Sequence, residues 1–177
     1  MRLFIAINFM PEIKQKLTTL SDELRETSSR GRFTIPENLH LTLVFLGECD
    51  ARQESSASAA MDAVAFEQFD IEIDRIGRFK RDGGDLWWVG ICENKALQEL
   101  HKNLTAELVK NGFKLEKRKF SPHITLGRDI VTSTEPRQIE PFGETVETIE
   151  LMKSENINGK LTYTAIYTRE STAIPII

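Results

Sequence analysis

Cysteine and histidine are scarce in this chain of 177 residues: two cysteines, Cys49 and Cys92, and three histidines. Two cysteines cannot build a disulfide framework, nor a zinc knuckle unaided. No apolar run reaches the length needed to span a bilayer. The N-terminal stretch Met1 to Phe9 is apolar but short, lacks a small-residue cleavage site and runs into Pro11 and charged residues. It reads as a buried strand rather than a secretion signal, and a reducing cytoplasm away from membranes is the expected location. An excess of positive charge is also missing, since the net charge is -4. Proteins that coat long nucleic acids are usually basic, so any contact with RNA should be local, at a cleft or a strand end. What is present, 40% hydrophobic and 28% charged residues, is the balance of a folded globular chain rather than a disordered one. The length allows one domain with a sizeable core, or two small lobes sharing one.

Periodicity predicts the elements. Leu3 to Phe9 is a strand-length apolar run. Pro11 opens a helix with Ile13, Leu17, Leu20 and Leu24 on one face, ended by Thr27 to Gly31. A strand runs from His40 to Leu46, and Asp50 can cap an Ala-rich helix reaching about Phe66. Phe69 to Phe79 alternates as a strand, Arg81 to Asp85 is a turn, and Leu86 to Cys92 is again an apolar strand. Leu97, Leu100, Leu104 and Leu108 form a second helical stripe stopped by Gly112. A further strand follows around His123. The stretch Thr132 to Gly143 holds Pro136 and Pro141 and reads as a loop. Thr145 to Met152 and Lys160 to Tyr167 are closing strands joined at Asn158-Gly159.

The order strand, helix, strand thus occurs twice. A shift of 83 residues aligns the copies without a gap, matching Leu3 with Leu86, Leu17 with Leu100, His40 with His123 and Thr42 with Thr125. Few positions are identical, so the repeat alone is a weak signal. Its weight lies in superposing two strands, two helices and two of the three histidines. The expected fold is α+β: one domain over 1–177, made of two intertwined, pseudo-symmetric lobes. Each lobe is an antiparallel or mixed sheet with helices outside, and the two face each other across a catalytic cleft.

The two histidine segments are Asn38-Leu39-His40-Leu41-Thr42-Leu43 and Ser121-Pro122-His123-Ile124-Thr125-Leu126. Alternation along a strand puts His40 and Thr42 on one face and Leu41 and Leu43 on the other, and likewise His123 and Thr125. Each lobe then presents an imidazole and a hydroxyl side by side on a rigid element. Breaking a phosphodiester requires one group to take a proton from the attacking oxygen and another to give one to the leaving oxygen. Imidazole titrates near neutrality, so a histidine pair can do both. Hydroxyls can donate to the non-bridging oxygens where charge accumulates. Singly, either histidine could be a satisfied core residue; the matched strand context weighs against that for both. Neither has a third His, Cys or acidic ligand at a typical zinc spacing, so no metal is expected.

These segments resemble the paired His-x-Thr signatures of the 2H phosphoesterases. More closely, the chain is similar to the bacterial and archaeal RNA 2',3'-cyclic phosphodiesterase family, formerly called 2'-5' RNA ligases. The likeness covers nearly the whole chain. It includes Pro36 to Leu43 followed by Phe45-Leu46-Gly47, Leu86-Trp87 before the second helix, Phe120 to Arg128, and Ser154, Gly159 and Tyr163 near the end. The resemblance implies no cofactor and hydrolysis of an RNA 2',3'-cyclic phosphate end to a 2'-phosphate, with His40 as general acid at the leaving 3' oxygen and His123 as general base on water. The near-symmetry of the two motifs also permits the reverse assignment. It makes Arg128 a phosphate ligand, although strict alternation places that residue on the face opposite His123 unless a bulge near Gly127 re-aims it. Phe45 stands at the equivalent place in the first lobe, where it could stack on a base or simply fill the core.

Arg32 and the run Lys117 to Lys119 could steer phosphates, or merely solvate a face. Of Trp87 and Trp88, which point to opposite faces, one should be core. His101 flanks a helix as a boundary residue without a catalytic role. The expected partner is RNA with a cyclic phosphate end, or a small cyclic nucleotide, bound by a monomer. Two other activities compete: phosphodiesterase or ligase action on 2'-5' linked or small cyclic nucleotides, and an RNA-end-binding module without turnover. Two intact proton-transfer groups argue against the last.

Overall fold

The computed structural model describes residues 1–172. Among these, nine strands and three α-helices follow the order β1 (Arg2–Asn8), α1 (Pro11–Glu26), β2 (Ser28–Phe33), β3 (His40–Glu48), α2 (Ala51–Asp62), β4 (Phe69–Phe79), β5 (Asp85–Ile91), α3 (Lys95–Lys110), β6 (His123–Thr132), β7 (Arg137–Val146), β8 (Thr148–Ile157) and β9 (Lys160–Glu170), with a 3-10 turn at Pro36–Asn38. No described helix is long and apolar enough to cross a membrane.

Local chemistry explains the helices. Pro11 stands at the start of α1, where its missing N–H costs nothing, and Ile13, Leu17 and Leu24 are buried. Leu20, expected on the same face, is only half-buried, and Ser21 takes its place in the interior. Asp50 caps α2 through a full capping box with Gln53. The helix stops at Asp62 rather than Phe66; Val64 and Phe66 are still buried, from non-helical backbone, so the apolar pattern outlasts the helix. The α3 stripe Leu97, Leu100, Leu104 and Leu108 is wholly interior. Asn158 and Gly159 both adopt positive φ, 52° and 80°, joining β8 to β9 in the tight hairpin that Asn-Gly favours.

Two segments differ from expectation. Ser28 to Phe33 is a strand, β2, paired with β6. It lacks apolar alternation because it is short and largely exposed, held by backbone bonds rather than by a buried face. The Thr132 to Gly143 segment is not a loop: β7 pairs with β4 at the end of the sheet. An edge strand tolerates proline, and Pro141 falls where the register slips between Ile73↔Phe142 and Arg75↔Gln138.

The strands run in the order β7-β4-β5-β6-β3-β1-β8-β9. The sheet is thus two four-stranded halves meeting at β6 and β3, related by the 83-residue shift that superposes β5 on β1 and β6 on β3. The copies exchange outer strands: β4, from the first, lies beside β5, and β8, from the second, beside β1. A single residue pair, Leu41↔Ile124, joins β3 to β6. Both side chains are fully buried, in one core with Leu17, Leu24, Leu100 and Leu104 from the helices. The helices therefore cover the leucine face of the sheet and leave the histidine face open.

Candidate active site

The Leu41↔Ile124 pair sets the site. In an antiparallel pairing, one step either way from it brings His40 across from Thr125 and Thr42 across from His123. The four side chains form a square with the imidazoles on one diagonal, and all four are half-buried. Each histidine is held in the same way. The Nδ1 of His40 lies 2.7 Å from the Asn38 carbonyl, and that of His123 lies 2.7 Å from the Ser121 carbonyl. A carbonyl only accepts, so Nδ1 carries the proton in both rings and Nε2 is the chemically free nitrogen. The Asn38 clamp is braced: its side chain is 6% exposed and its Nδ2 donates to the Leu161 carbonyl at 2.9 Å.

The two rings differ at Nε2. That of His40 is 2.8 Å from Thr42 Oγ1. That of His123 has no hydrogen-bond partner among the described residues. Aromatic side chains wall both. Phe4 lies 4.9 Å and Tyr163 5.3 Å from the His40 ring, the latter edge-on. Phe79 meets His123 edge-on at 5.3 Å, and Trp88 stands 6.3 Å away. Trp87, by contrast, is fully buried in the core.

Arg128 and Phe45 come to the histidine face through matching bulges. Across β5 and β6, Trp88 pairs with Thr125 but Trp87 with Gly127, so Leu126 is an extra residue. Across β1 and β3, Ala6 pairs with Thr42 but Ile5 with Val44, so Leu43 is extra at the equivalent place. Each bulge reverses the alternation once. Arg128 then shares a face with His123, and Phe45, 69% exposed and 6.2 Å from Phe4, shares one with His40.

Burial lowers the affinity of both imidazoles for a proton below the ordinary value. For His40 the carbonyl bond opposes this, while the charges of Lys14, His123 and Arg128 add to it. For His123 the opposing bond is from Ser121 and the added charge is Arg128. One guanidinium thus acts on both rings. Burial also raises Tyr163, with Arg128 and Arg2 opposing.

Other singled-out residues lie apart. The exception is Arg32, which pairs with Arg128 across β2 and β6, but its guanidinium is engaged by Asp129, its Nε 2.7 Å from the carboxylate. Lys117, Arg118 and Lys119 are exposed. His101 stacks flat on Phe120 at 3.9 Å, away from the histidine pair. No cluster of three His, Cys, Asp or Glu side chains suited to a metal ion occurs among the described residues. Phe4, Phe79, Trp88 and the clamping role of Asn38 escaped sequence reasoning. Their signal lies in strand pairing, which spacing along one chain does not carry.

Two clamped imidazoles, flanking hydroxyls and a shared guanidinium define a phosphoester-processing site on a duplicated α+β scaffold. The chain belongs to the LigT-like phosphoesterase family, whose model matches it twice, over residues 7–88 and 89–163. It is 31% identical over 173 residues to the RNA 2',3'-cyclic phosphodiesterase of Escherichia coli K12, covering 93% of each chain. The RNA 2',3'-cyclic phosphodiesterase of Thermotoga maritima is 34% identical over 131 residues, 72% of this chain and 70% of that one. Among solved structures, E. coli LigT complexed with 3'-AMP superposes with a TM-score of 0.86 at 28% identity, covering 97% of this chain and 98% of that one.

Proposed function

We propose that this chain hydrolyses RNA 2',3'-cyclic phosphate ends to 2'-phosphates, using no metal, with His40 as general acid and His123 as general base. The observation that carries the reading is the facing pair of imidazoles, each with Nδ1 bonded to a carbonyl and Nε2 left for chemistry. The names of the relatives in E. coli and T. maritima support the substrate class.

In this mechanism His123 Nε2 takes a proton from water as its oxygen attacks phosphorus. The bond from phosphorus to the 3' oxygen breaks, and that oxygen receives the proton from His40 Nε2. A 2'-phosphate and a free 3'-hydroxyl result; solvent then reprotonates His40 and deprotonates His123. The unpartnered Nε2 of His123 favours it as the base, since a water can occupy that position. Thr42, Thr125 and Arg128 hold the non-bridging oxygens, and Phe45 offers a face to the terminal base. With both imidazoles pushed toward neutrality in the free enzyme, the anionic phosphate bound beside Arg128 restores the proton on His40.

The same geometry serves 2'-5' linked or small cyclic nucleotides, and an RNA-end binder would share the clamps without turning over. We read the 177 residues as one domain of two intertwined lobes, acting as a monomer; the two free cysteines fit a reducing cytoplasm. Incubation with a 2',3'-cyclic nucleotide and with an RNA ending in one, followed by phosphorus NMR of the products, tests the reading. A 2'-phosphate is expected from both; a 3'-phosphate, or no product, overturns it.

A further inference from the structure

Beside His123 the second half of the sheet carries a surface that the mechanism does not use. The pairing registers align Arg75 with Gly90 and Gly90 with His123 in one row across β4, β5 and β6. The next row aligns Gly77, Trp88 and Thr125. Both glycines make room for the side chain beside them. A Cβ on Gly90 would stand 2.6 Å from the Arg75 guanidinium carbon, and one on Gly77 would stand 2.5 Å from the Trp88 ring. The Arg75 side chain therefore lies across β5 toward His123, and the indole lies flat on β4. Arg75 sits 5.9 Å from the Trp88 ring centre, Phe79 is 5.3 Å from Trp88, and the exposed Arg81 is 5.8 Å from the Phe79 ring. Arg75 uses only Nη1, bonding Asp74 and the Ile91 carbonyl; its Nε and Nη2 have no partner among the described residues.

Aromatic rings flanked by guanidinium groups are the equipment for single-stranded nucleic acid: bases stack on the rings and phosphates meet the cations. The groove beyond His40 has no such guanidinium groups in its lining. The groove at the start of α1, lined by Phe9, Pro11, Lys14, Pro36 and Glu37, has its lysine set among Glu37 and Glu150, with Glu12 and Glu144 beside the Met10 amide. That acidic rim repels a phosphate chain.

We infer that Arg75, Trp88, Phe79 and Arg81 form a track for the RNA nucleotides next to the reacting end, so that the protein holds an RNA strand more tightly than a mononucleotide. This rests on the proposed function for the nature of the end, but the track is testable without turnover. Fluorescence anisotropy with a labelled RNA oligomer ending in a 2'-phosphate, and competition by a 2'-phosphate mononucleotide, compare the wild type with Arg75→Gln and Arg75→Lys. Loss of one charged contact should weaken the oligomer about tenfold in Arg75→Gln. It should also flatten the plot of log affinity against log salt by about 0.7, the share of one phosphate on a single strand. Arg75→Lys should keep most of that salt slope, and the mononucleotide should bind all three proteins alike. An unchanged oligomer affinity, or an equal loss for oligomer and mononucleotide, overturns the track. Should Arg75→Gln fail to fold, Arg81→Gln at the exposed end carries the same comparison. A wild type that binds the oligomer through Arg75 but hydrolyses no cyclic phosphate sinks the hydrolytic reading and leaves the track standing.

Discussion

Replacing Arg128 by Gln removes a charge that acts on both imidazoles at once, and this makes the variant unusually informative. A positioned donor to developing phosphate charge is worth about 10²–10³ in rate. Arg128 is exposed, so water can partly replace it and the lower end, about 10², is expected for kcat/KM. The pH profile adds a second signature. Arg128 lowers both His40 and His123; without it both rise. The acid limb, set by the base having to be neutral, moves to higher pH, and so does the alkaline limb, set by the acid having to be protonated. The whole bell shifts upward rather than narrowing or widening. Initial rates on a 2',3'-cyclic nucleotide across pH, for wild type and Arg128→Gln, measure this, with melting curves to show that the variant is folded. A rate loss with both limbs in place, or limbs moving in opposite directions, would refute the claim that one guanidinium serves both rings.

A substrate with a better leaving group at the 3' oxygen needs less help from an acid, so it should partly rescue His40→Ala and not His123→Ala; rescue of His123→Ala alone reverses the two roles. Thr42→Ala removes the hydroxyl 2.8 Å from His40 Nε2 and should slow turnover less than His40→Ala does, whereas equal collapse accompanied by a lower Tm points to misfolding. Stability should fall as pH drops through about 6.5, the ordinary histidine value, because His40, His101 and His123 all have lowered folded pKa values and the unfolded chain takes up those protons first. The loss continues only until the folded pKa values are passed, and a Tm that rises on acidification over this range contradicts it.

Elements that bury one face were legible in the sequence. The apolar runs at Leu3 and Leu86, the leucine stripes of α1 and α3 and the turn at Asn158-Gly159 each carry a local reason for their conformation, and the structure keeps them. The edge strands β2 and β7 were not, because an edge strand is held by backbone bonds on one side and carries serine, arginine or proline without penalty. The 83-residue shift located both histidines, but the bulges that turn Phe45 and Arg128 to the same face depend on strand pairing. The extra residues are Leu43 and Leu126, ordinary leucines with nothing in their identity to mark them, rather than the neighbouring Gly127. The aromatic walls around the rings come from strands distant in sequence, Phe4 and Tyr163 on one side and Phe79 and Trp88 on the other.

The pH dependence of kcat/KM on an RNA 2',3'-cyclic phosphate, for wild type, His40→Ala and His123→Ala, tests the acid–base pairing most directly. The wild type should give a bell, since the base must be neutral and the acid protonated in the free enzyme. Because the two sites interact, its limbs belong to the pair. The residual activity of His40→Ala should lose the alkaline limb, and that of His123→Ala the acid limb. A bell that survives intact in either variant, or full activity in either, would contradict the two-histidine mechanism.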